Sequence, residues 1–136
     1  MIISSYPIAG GDFERAGSAS SLLKEQLKKV GVEPVAIRRA MIAAYEAEMN
    51  VVIYANKGNM QIALDTEKLD VEVTDEGPGI PDIEQAMIEG FSTAPPAIRE
   101  LGFGAGMGLP NIKKNSDRFA IESAVGEGTR VTFTIL

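Results

Sequence analysis

The stretch Asp75-Glu-Gly-Pro-Gly-Ile-Pro81, followed after a gap by Gly102-Phe-Gly-Ala-Gly-Met-Gly108-Leu109, carries the strongest structural signal in this sequence. Glycine costs about 1 kcal/mol relative to alanine inside a regular element, so glycines at this density indicate backbone that turns sharply or lies against a ligand. One carboxylate, Asp75, begins the first cluster. A nucleotide site is therefore the first hypothesis.

The overall composition is that of an ordinary folded domain. The chain has 136 residues, of which 45% are hydrophobic and 24% charged, enough to bury a core without disulfides or structural metal. No apolar run approaches the roughly 20 residues that a membrane span needs, and residues 1–6 lack the basic region and cleavage site of a signal peptide. We therefore expect a single domain over residues 1–136 and a cytoplasmic location.

The chain contains no cysteine and no histidine. These absences exclude disulfides, thiolate metal sites and cysteine nucleophiles, as well as the usual general base and the acceptor of a histidine autokinase. The formal net charge of -6 argues against nucleic-acid binding as the main function, because that binding depends on clustered Lys and Arg. Any chemistry must use carboxylates, amides, hydroxyls and backbone, and an acidic protein can still bind ATP together with a divalent cation.

Apolar periodicity and the positions of Gly and Pro predict the element order β-α-α-β-β-loop-α-β-β. This order predicts an α+β two-layer sandwich, with helices on one face of a mixed, mostly antiparallel sheet. The predicted strands are 1–6, 60–64, 69–74, 119–124 and 130–136; the predicted helices are 12–31, 34–55 and 109–117; the predicted turns are 7–12, 57–59 and 126–128.

The segment from Gly77 to Gly108 contains seven glycines and four prolines. It includes one short amphipathic piece over residues 83–90. The segment is too long for a plain connection, which favours a functional loop or lid over about residues 80–108.

Glu46 and Asn50 lie four residues apart in the second predicted helix, so both project from the same face. The small residues Ala43 and Ala47 would let a ligand approach that face. The amide oxygen of Asn50 is a suitable single protein ligand for Mg2+ when phosphates and water complete the octahedron, and Glu46 could orient or deprotonate a hydroxyl beside the metal. The alternative is a solvated helix face.

Asp75 lies where a predicted strand meets a glycine turn. Its carboxylate could accept a hydrogen bond from a ligand amino group, while Gly77 and Gly79 leave room for a ring. Thr129, which follows Gly128 at the start of the last strand, could reach the floor of the same pocket. The alternatives are an Asp that stabilises its own turn and a Thr that favours strand geometry.

The second glycine cluster precedes the helix predicted to begin at Leu109. A dinucleotide fingerprint would follow the first strand of a βαβ unit, whereas this cluster follows a loop. Its position favours a phosphate-binding role, in which backbone N–H groups and the positive end of the helix face the phosphates. Arg99 within the lid could reach a terminal phosphate. The alternatives are a flexible hinge and a solvated arginine.

Four short motifs occur in the order Glu46-Ala-Glu-Met-Asn50, Asp75-Glu-Gly-Pro-Gly79, Gly104-Ala-Gly-Met-Gly108-Leu109 and Gly128-Thr129. This series resembles the Bergerat-fold ATP-binding domain shared by gyrase, heat-shock chaperone, histidine-kinase and mismatch-repair ATPases. Within that superfamily, the chain is similar to the small stand-alone serine kinases that act as anti-sigma factors or stressosome switch kinases. The resemblance implies a Bergerat-type sandwich with a glycine-rich ATP lid.

The resemblance also implies a role for each motif residue. Glu46 would be the catalytic base that activates an acceptor serine hydroxyl, and Asn50 would bind the Mg2+ that bridges the ATP phosphates. Asp75 would hydrogen-bond the adenine amino group, supported by Thr129 through its hydroxyl or a shared water. No family role falls to Glu48. The remaining predicted ATP-binding residues are Gly77, Gly79, Ile80, Arg99, Gly104, Gly106, Gly108 and Leu109.

These inferences predict an ATP- and Mg2+-dependent protein-serine kinase that phosphorylates a small anti-anti-sigma (STAS-like) antagonist in a partner-switching pathway. The alternatives are a nucleotide-gated binding module that sequesters a sigma factor or activates a phosphatase, and an ATPase subunit whose other domains are on another polypeptide. The insert Ala94-Pro-Pro-Ala-Ile-Arg-Glu-Leu101 is longer than the compact lid of switch kinases, which leaves the partner class open. Relatives suggest a homodimer, and we expect neither nucleic acid nor membrane as a partner.

Overall fold

A five-stranded sheet with helices on one face makes up the part of the chain that the computed structural model describes, residues 2–88 and 108–136. The strand order is β1-β2-β3-β5-β4, and all four pairings in this described sheet are antiparallel. The predicted α+β class is confirmed. The elements are β1 (Ile2–Ala9), α1 (Ser18–Lys29), α2 (Pro34–Tyr54), β2 (Lys57–Leu64), β3 (Leu69–Glu76), α3 (Ile83–Ala86), α4 (Gly108–Lys114), β4 (Arg118–Ala124) and β5 (Gly128–Ile135).

The hydrophobic core lies between the helices and one face of the sheet. Val71 and Val73 of β3 are buried opposite Phe133 and Val131 of β5, while the alternating residue Glu72 lies on the other face and is partly exposed. This alternation follows from the period of two in an extended strand. The sheet therefore has one apolar face under the helices and one polar face.

Helix α2 is the central helix of the layer and contacts four of the strands, α1 and α4. Pro34 occupies its first turn, where a missing N–H costs nothing. Its small buried side chains let the neighbouring elements approach closely. Although α2 has 21 residues, neither it nor any other described helix is long and apolar enough to cross a membrane. The buried alanines of α2 are Ala40, Ala43, Ala44 and Ala47.

Two predicted turns belong to strands in the structure. Pro7 lies within β1 and pairs with Asn59 of β2, which is tolerated because β1 is an edge strand and can lack an outward-facing N–H. Residues 57–59 begin β2 because Gly58 can approach β3, where a Cβ would come within 2.7 Å of the Thr74 carbonyl oxygen. The turn predicted over residues 7–12 is thus reduced to its last residues, and that at 57–59 is wrong.

The start of α1 also differs from the prediction. Asp12 does not cap the helix; its carboxylate accepts the N–H of Arg15 at 3.3 Å within the preceding turn. The helix begins at Ser18, after Gly17 in a left-handed conformation with φ 94° and no capping side chain of its own. The remaining predicted helices and strands agree with the observed ones to within three residues, except that the piece predicted over 83–90 is helical at Ile83–Ala86 and extends outside the described residues.

Glu48 of α2 supplies the missing cap of α1. Its carboxylate accepts the backbone N–H groups of Gly17, Ala19 and Ser20 at 2.9–3.2 Å and the hydroxyl of Ser20 at 2.7 Å. Glu48 is 2% exposed, so its charge is stabilised by these donors and by the positive end of α1 rather than by water. Glu48 therefore fixes α1 against the side of α2 that lies opposite Glu46.

An exposed ion pair connects α2 to the end of the sheet. Arg39 donates to both carboxylate oxygens of Asp117 at 3.1 and 3.3 Å, and Asp117 also accepts the backbone N–H of Leu136 at 2.8 Å. The Leu136 N–H, followed by the Arg39 guanidinium, lowers the pKa of Asp117. Asp117 thus joins the first half of α2 to the last residue of the chain.

Replacing Glu48 is expected to destabilise the fold. Glu48→Ala leaves three backbone N–H groups and one hydroxyl without their acceptor, at about 3 kcal/mol or more, and Glu48→Gln should cost less because one acceptor oxygen remains. The measurement is urea unfolding of each variant. Glu25→Ala, on the exposed face of α1, is the control and should stay within about 0.5 kcal/mol of wild type. Equal stability of Glu48→Ala and Glu25→Ala would show that the cap is dispensable.

Candidate functional site

Asp75 lies near the end of β3, beside the start of β5. Its Oδ1 atom accepts the backbone N–H of Thr129 at 3.1 Å. Gly128 permits this approach, because a Cβ at that position would overlap the backbone oxygen of Asp75, and its φ of 153° is rarely adopted by other residues. This contact comes from the backbone of Thr129; the resemblance implies additional support through the Thr129 hydroxyl or a shared water, which stays a prediction.

The glycine turn, residues 77–80, lies against the turn between β4 and β5. Gly126 donates its N–H to the Pro78 carbonyl at 2.9 Å. Gly79 has φ 76°, and a Cβ there would overlap the carbonyl oxygen of Ala124. Gly79 is therefore required for the close contact between two backbone segments, whatever else approaches it.

The first residue of the glycine turn connects it to the end of α2. Gly77 donates its N–H to the Glu127 carbonyl at 3.3 Å. A Cβ at Gly77 would lie 3.0 Å from the Cα atom of Ala55, the residue that follows α2. The glycine turn is thus enclosed between the β4–β5 turn and the C-terminal end of α2.

Ile80 ends the glycine turn and is held by a side chain of β4. Its backbone N–H donates to Ser123 Oγ at 2.7 Å. The same Oγ lies 2.9 Å from Thr129 Oγ1 and donates to the Gly128 carbonyl at 3.1 Å in one of its arrangements. Five predicted residues, Asp75, Gly77, Gly79, Ile80 and Thr129, are therefore brought together at one end of the sheet.

A second group of predicted residues lies where α2 meets α4. Gly108, the first residue of α4, is so close to α2 that a Cβ there would lie 3.2 Å from both Glu46 Oε2 and Asn50 Oδ1. Glu46 and Asn50 are both partly buried on the same face of α2. The carboxylate, the amide and the start of α4 therefore converge on one point.

Burial raises the pKa of both predicted site carboxylates. For Glu46, desolvation is the larger effect, and a hydrogen bond with the Asn111 side chain opposes it. For Asp75, desolvation again raises the pKa, and the Thr129 backbone N–H opposes the rise. A partly desolvated carboxylate accepts a proton or a hydrogen bond more readily than a fully hydrated one, which suits a base and a recognition residue.

The donor atoms fit a single Mg2+ contact. Within the described ranges, no group of three or more His, Cys, Asp or Glu side chains could hold a metal ion. Mg2+ does not need such a group, because it takes one or two protein oxygens and completes its octahedron with phosphates and water. The Asn50 amide oxygen, beside the Glu46 carboxylate, has the chemistry for a contact of that kind.

The other predicted residues divide between the core and the undescribed segment. Leu109 is 7% exposed and packs in the hydrophobic core. Arg99, Gly104, Gly106 and most of the lid predicted over 80–108 lie outside the described residues. A groove of about 620 Å³ lies at the start of α1 and is lined by Ser18, Met41, Tyr45 and their neighbours. It contains none of the predicted ATP-binding residues, so we assign no ligand to it.

Two residues of this region were missed from the sequence. Ser123 follows Phe119 and Ile121 at alternate positions of β4, so a polar residue on an otherwise apolar strand face was the available signal. Asn111 lies among the buried α4 residues Leu109 and Ile112, and nothing in its local pattern distinguishes it from a surface residue. Both act across the fold rather than along the chain.

The chain has the fold of the histidine kinase-like ATPase domains. The chain belongs to that family, which it matches over residues 11–135. Membership of an ATPase family implies that the protein uses a nucleotide. The whole of β1 (Ile2–Ala9) precedes the matched region.

The named relatives are a serine/threonine-protein kinase and anti-sigma F factors. The chain is 35% identical over 118 residues to the serine/threonine-protein kinase RsbT of Bacillus subtilis, covering 84% of this chain and 83% of the relative. It is 34% identical over 95 residues to the anti-sigma F factor of Clostridium acetobutylicum, covering 66% of this chain and 63% of the relative. The first relative is thus matched over most of its length.

Solved structures share the fold at low sequence identity. The RsbU and RsbW domains of a Mycobacterium tuberculosis protein superpose with a TM-score of 0.66 at 15% identity, over 99% of this chain and 32% of that chain. The SiaB–SiaC complex of Pseudomonas aeruginosa superposes with a TM-score of 0.65 at 16% identity, over 99% of this chain and 89% of that chain. These similarities establish the architecture.

Gly108→Ala is expected to separate ligand binding from folding. Gly108 does not have a positive φ, so alanine is compatible with the helix, but its Cβ displaces Glu46 and Asn50 by a few tenths of an ångström. Because both side chains that would face the ligand are displaced, the Kd for Mg-ATP should rise roughly tenfold, whereas overpacking costs no more than about 1–3 kcal/mol of folding stability. Calorimetric titration and thermal melts test this, with the exposed α4 change Lys113→Ala as the control. Wild-type affinity in Gly108→Ala would contradict the assignment.

Proposed function

We propose that this chain is an ATP-dependent protein-serine kinase of the anti-sigma regulatory type, acting in the cytoplasm as a single ATPase domain over residues 1–136. It transfers the γ-phosphoryl group of Mg-ATP to a serine of a small anti-anti-sigma (STAS-like) antagonist. The observation that carries the proposal is the order of the functional groups along α2. The proposed adenine subsite, the proposed metal ligand Asn50 and the proposed catalytic base Glu46 follow one another along α2. This is the order of the adenine, the bridging phosphates and the γ-phosphoryl group in ATP.

The adenine subsite is the enclosure formed by Asp75 and the glycine turn. The Asp75 carboxylate is a hydrogen-bond acceptor that suits the exocyclic amino group of adenine, and the backbone of Gly79 and Ile80 would form a wall beside the ring. Gly77 contacts Ala55 at the end of α2. The adenine ring would therefore be held next to the C-terminal end of that helix.

The phosphates would extend back along α2 from this end. At 1.5 Å per residue, Asn50 lies about 7.5 Å and Glu46 about 13.5 Å before Ala55 along the helix axis. Asn50 would hold Mg2+, which would supply positive charge to neutralise the phosphate oxygens. Gly108 leaves the faces of both side chains accessible to a ligand, because it has no Cβ to fill the space between them.

Glu46 would act as the general base of the transfer. Its carboxylate accepts the proton of the acceptor serine hydroxyl while the serine oxygen bonds to the γ-phosphorus; the bond from phosphorus to the β–γ bridging oxygen breaks, and ADP leaves with that electron pair. The Asn111 side chain, hydrogen-bonded to Glu46, would orient the carboxylate before proton transfer. The phosphorylated antagonist gains up to about two negative charges, which would change its partner.

The names of the relatives support the nature of the substrate. One of the relatives reported above is named as a serine/threonine-protein kinase, and another is named as an anti-sigma F factor. A kinase that regulates a sigma factor through a serine-bearing antagonist accounts for both names. A sigma factor, a phosphatase and a second copy of this chain are further partners that the proposal allows.

The first test uses labelled ATP, Mg2+ and candidate antagonist domains. Wild type should label an antagonist serine; Glu46→Gln should bind ATP with little change but lose about 100-fold or more in transfer rate, because the base is removed. Asp75→Asn should lose ATP binding instead. A wild type that binds ATP tightly and labels no antagonist would favour the nucleotide-gated binding module, and wild-type affinity in Asp75→Asn would misplace the adenine subsite.

The second test is the pH dependence of transfer. The base must be deprotonated, and burial raises the pKa of Glu46 above its ordinary 4.5, so kcat should fall as the pH drops through that raised value. Asn111→Leu removes the hydrogen bond that opposes the rise, which should move the acid limb to higher pH. The profile is measured at saturating Mg-ATP, with the exposed change Lys113→Gln as the control. An acid limb that is unchanged in Asn111→Leu would exclude this role for Asn111.

A further inference from the structure

Ser123 is the polar member of an inward-facing column on β4. Phe119 and Ile121 occupy the preceding positions of that column, and both pack against the hydrophobic core. Ser123 continues the column at the end of the strand, where β4 meets the glycine turn. The Ser123 hydroxyl therefore lies at the boundary between the hydrophobic core and the proposed adenine subsite, where the preceding positions of the column are apolar.

The Ser123 hydroxyl connects three groups that belong to different segments. It accepts the N–H of Ile80 at 2.7 Å, lies 3.1 Å from the Gly128 carbonyl and 2.9 Å from Thr129 Oγ1. It is partly buried in each of these contacts. One side chain therefore joins the wall of the subsite to the strand that supports Asp75.

The single proton of Ser123 determines what Thr129 can offer to a ligand. If that proton is donated to Gly128, the 2.9 Å contact requires Thr129 to donate its own proton to Ser123. If Ser123 donates to Thr129, the Thr129 proton becomes available for another acceptor. Without Ser123, neither arrangement exists, and Thr129 Oγ1 loses this hydrogen-bond partner.

Thr129 is already joined to the recognition carboxylate. Its backbone N–H donates to Asp75 Oδ1 at 3.1 Å. Thr129 therefore contacts Asp75 through its backbone and Ser123 through its hydroxyl. The Ile80 N–H would also lose its acceptor if Ser123 were removed, which would loosen the end of the glycine turn. Both consequences act on the same subsite.

We propose that Ser123 is a positioning residue for the purine base. It holds the Ile80 backbone against β4 and orients the Thr129 hydroxyl beside Asp75, and in this way it increases the affinity for a 6-aminopurine nucleotide and the discrimination against a 6-oxopurine. This inference rests on the proposed function, because it needs ATP in this subsite. Ser123 acts through Ile80 and Thr129, and it needs no contact with the phosphates.

The test compares Mg-ATP and Mg-GTP binding by calorimetry for the full chain and three variants. Ser123→Ala removes the hydroxyl, Ser123→Thr retains it, and Ser116→Ala is a matched control, because its hydroxyl also bonds backbone carbonyls, those of Ile112 and Lys113. Ser123→Ala should raise the Kd for ATP about tenfold, the loss expected for a partly buried hydrogen-bond network. Ser123→Thr should stay within about threefold and Ser116→Ala at the wild-type value.

Two further readouts separate positioning from a general loss of structure. The ratio of the GTP and ATP dissociation constants should fall in Ser123→Ala. Any phosphoryl transfer at saturating ATP should keep its wild-type kcat, because Ser123 would act at the adenine subsite and Glu46 at the transferred phosphoryl group. Thermal melts without nucleotide should agree for Ser123→Ala and Ser116→Ala to within about 3 °C.

Each outcome decides between the two proposals. Unchanged ATP affinity in Ser123→Ala, or a parallel loss of ATP and GTP binding together with a lower melting temperature, overturns the role of Ser123 and leaves the proposed function standing. A wild-type chain that binds no nucleotide overturns the proposed function and this inference with it. Tight ATP binding without transfer removes only the kinase activity, and the binding ratios still test Ser123.

Discussion

The antiparallel pairing of β3 with β5 is the constraint on which the site depends. Because Val73 pairs with Val131 and Thr74 with Arg130, the end of β3 reaches the start of β5 although more than fifty residues separate them in the chain. Gly128 allows the last step, since a Cβ would overlap the Asp75 backbone. The same pairing places the β4–β5 turn beneath the glycine turn. Without this pairing, the Asp75 carboxylate would lack its backbone donor, and the glycine turn would have no surface to lie on.

The glycines near Asp75 therefore have a structural cause that does not involve a ligand. The sequence suggests that they make room for a ring, but Gly79 is needed first for the approach of its own backbone to Ala124, and Gly77 for its approach to Ala55. A pocket wall built from closely packed backbone presents few movable side chains to a ligand. Rigidity of this kind reduces the entropy that binding must overcome, so the packing and the binding requirements select the same residue type.

Local patterns predicted the elements well and their contacts poorly. The spacing of Glu46 and Asn50 was enough to place both on one helix face, because helical geometry is local. Local patterns predict turns at Pro7 and Gly58, whereas both residues lie in strands, because an edge strand tolerates Pro and the close approach of a neighbouring strand requires Gly. The contribution of Ser123 depends on which strands are adjacent. Strand order is a property of the whole chain, and no window of sequence contains it.

Two glutamates of α2 show how environment assigns different roles to one residue type. Glu48 and Glu46 are two residues apart and so point to nearly opposite sides of the helix. Glu48 receives three backbone N–H groups and one hydroxyl; these donors occupy its lone pairs and commit it to holding α1. Glu46 is partly desolvated, and its carboxylate lies beside Asn50 and the start of α4. A base must be desolvated enough to take a proton and still have a lone pair to receive it. Anchoring α2 through Glu48 keeps the helix that carries Glu46 in place, so the hydrogen-bonded carboxylate of Glu48 supports the geometry that the proposed base, Glu46, requires.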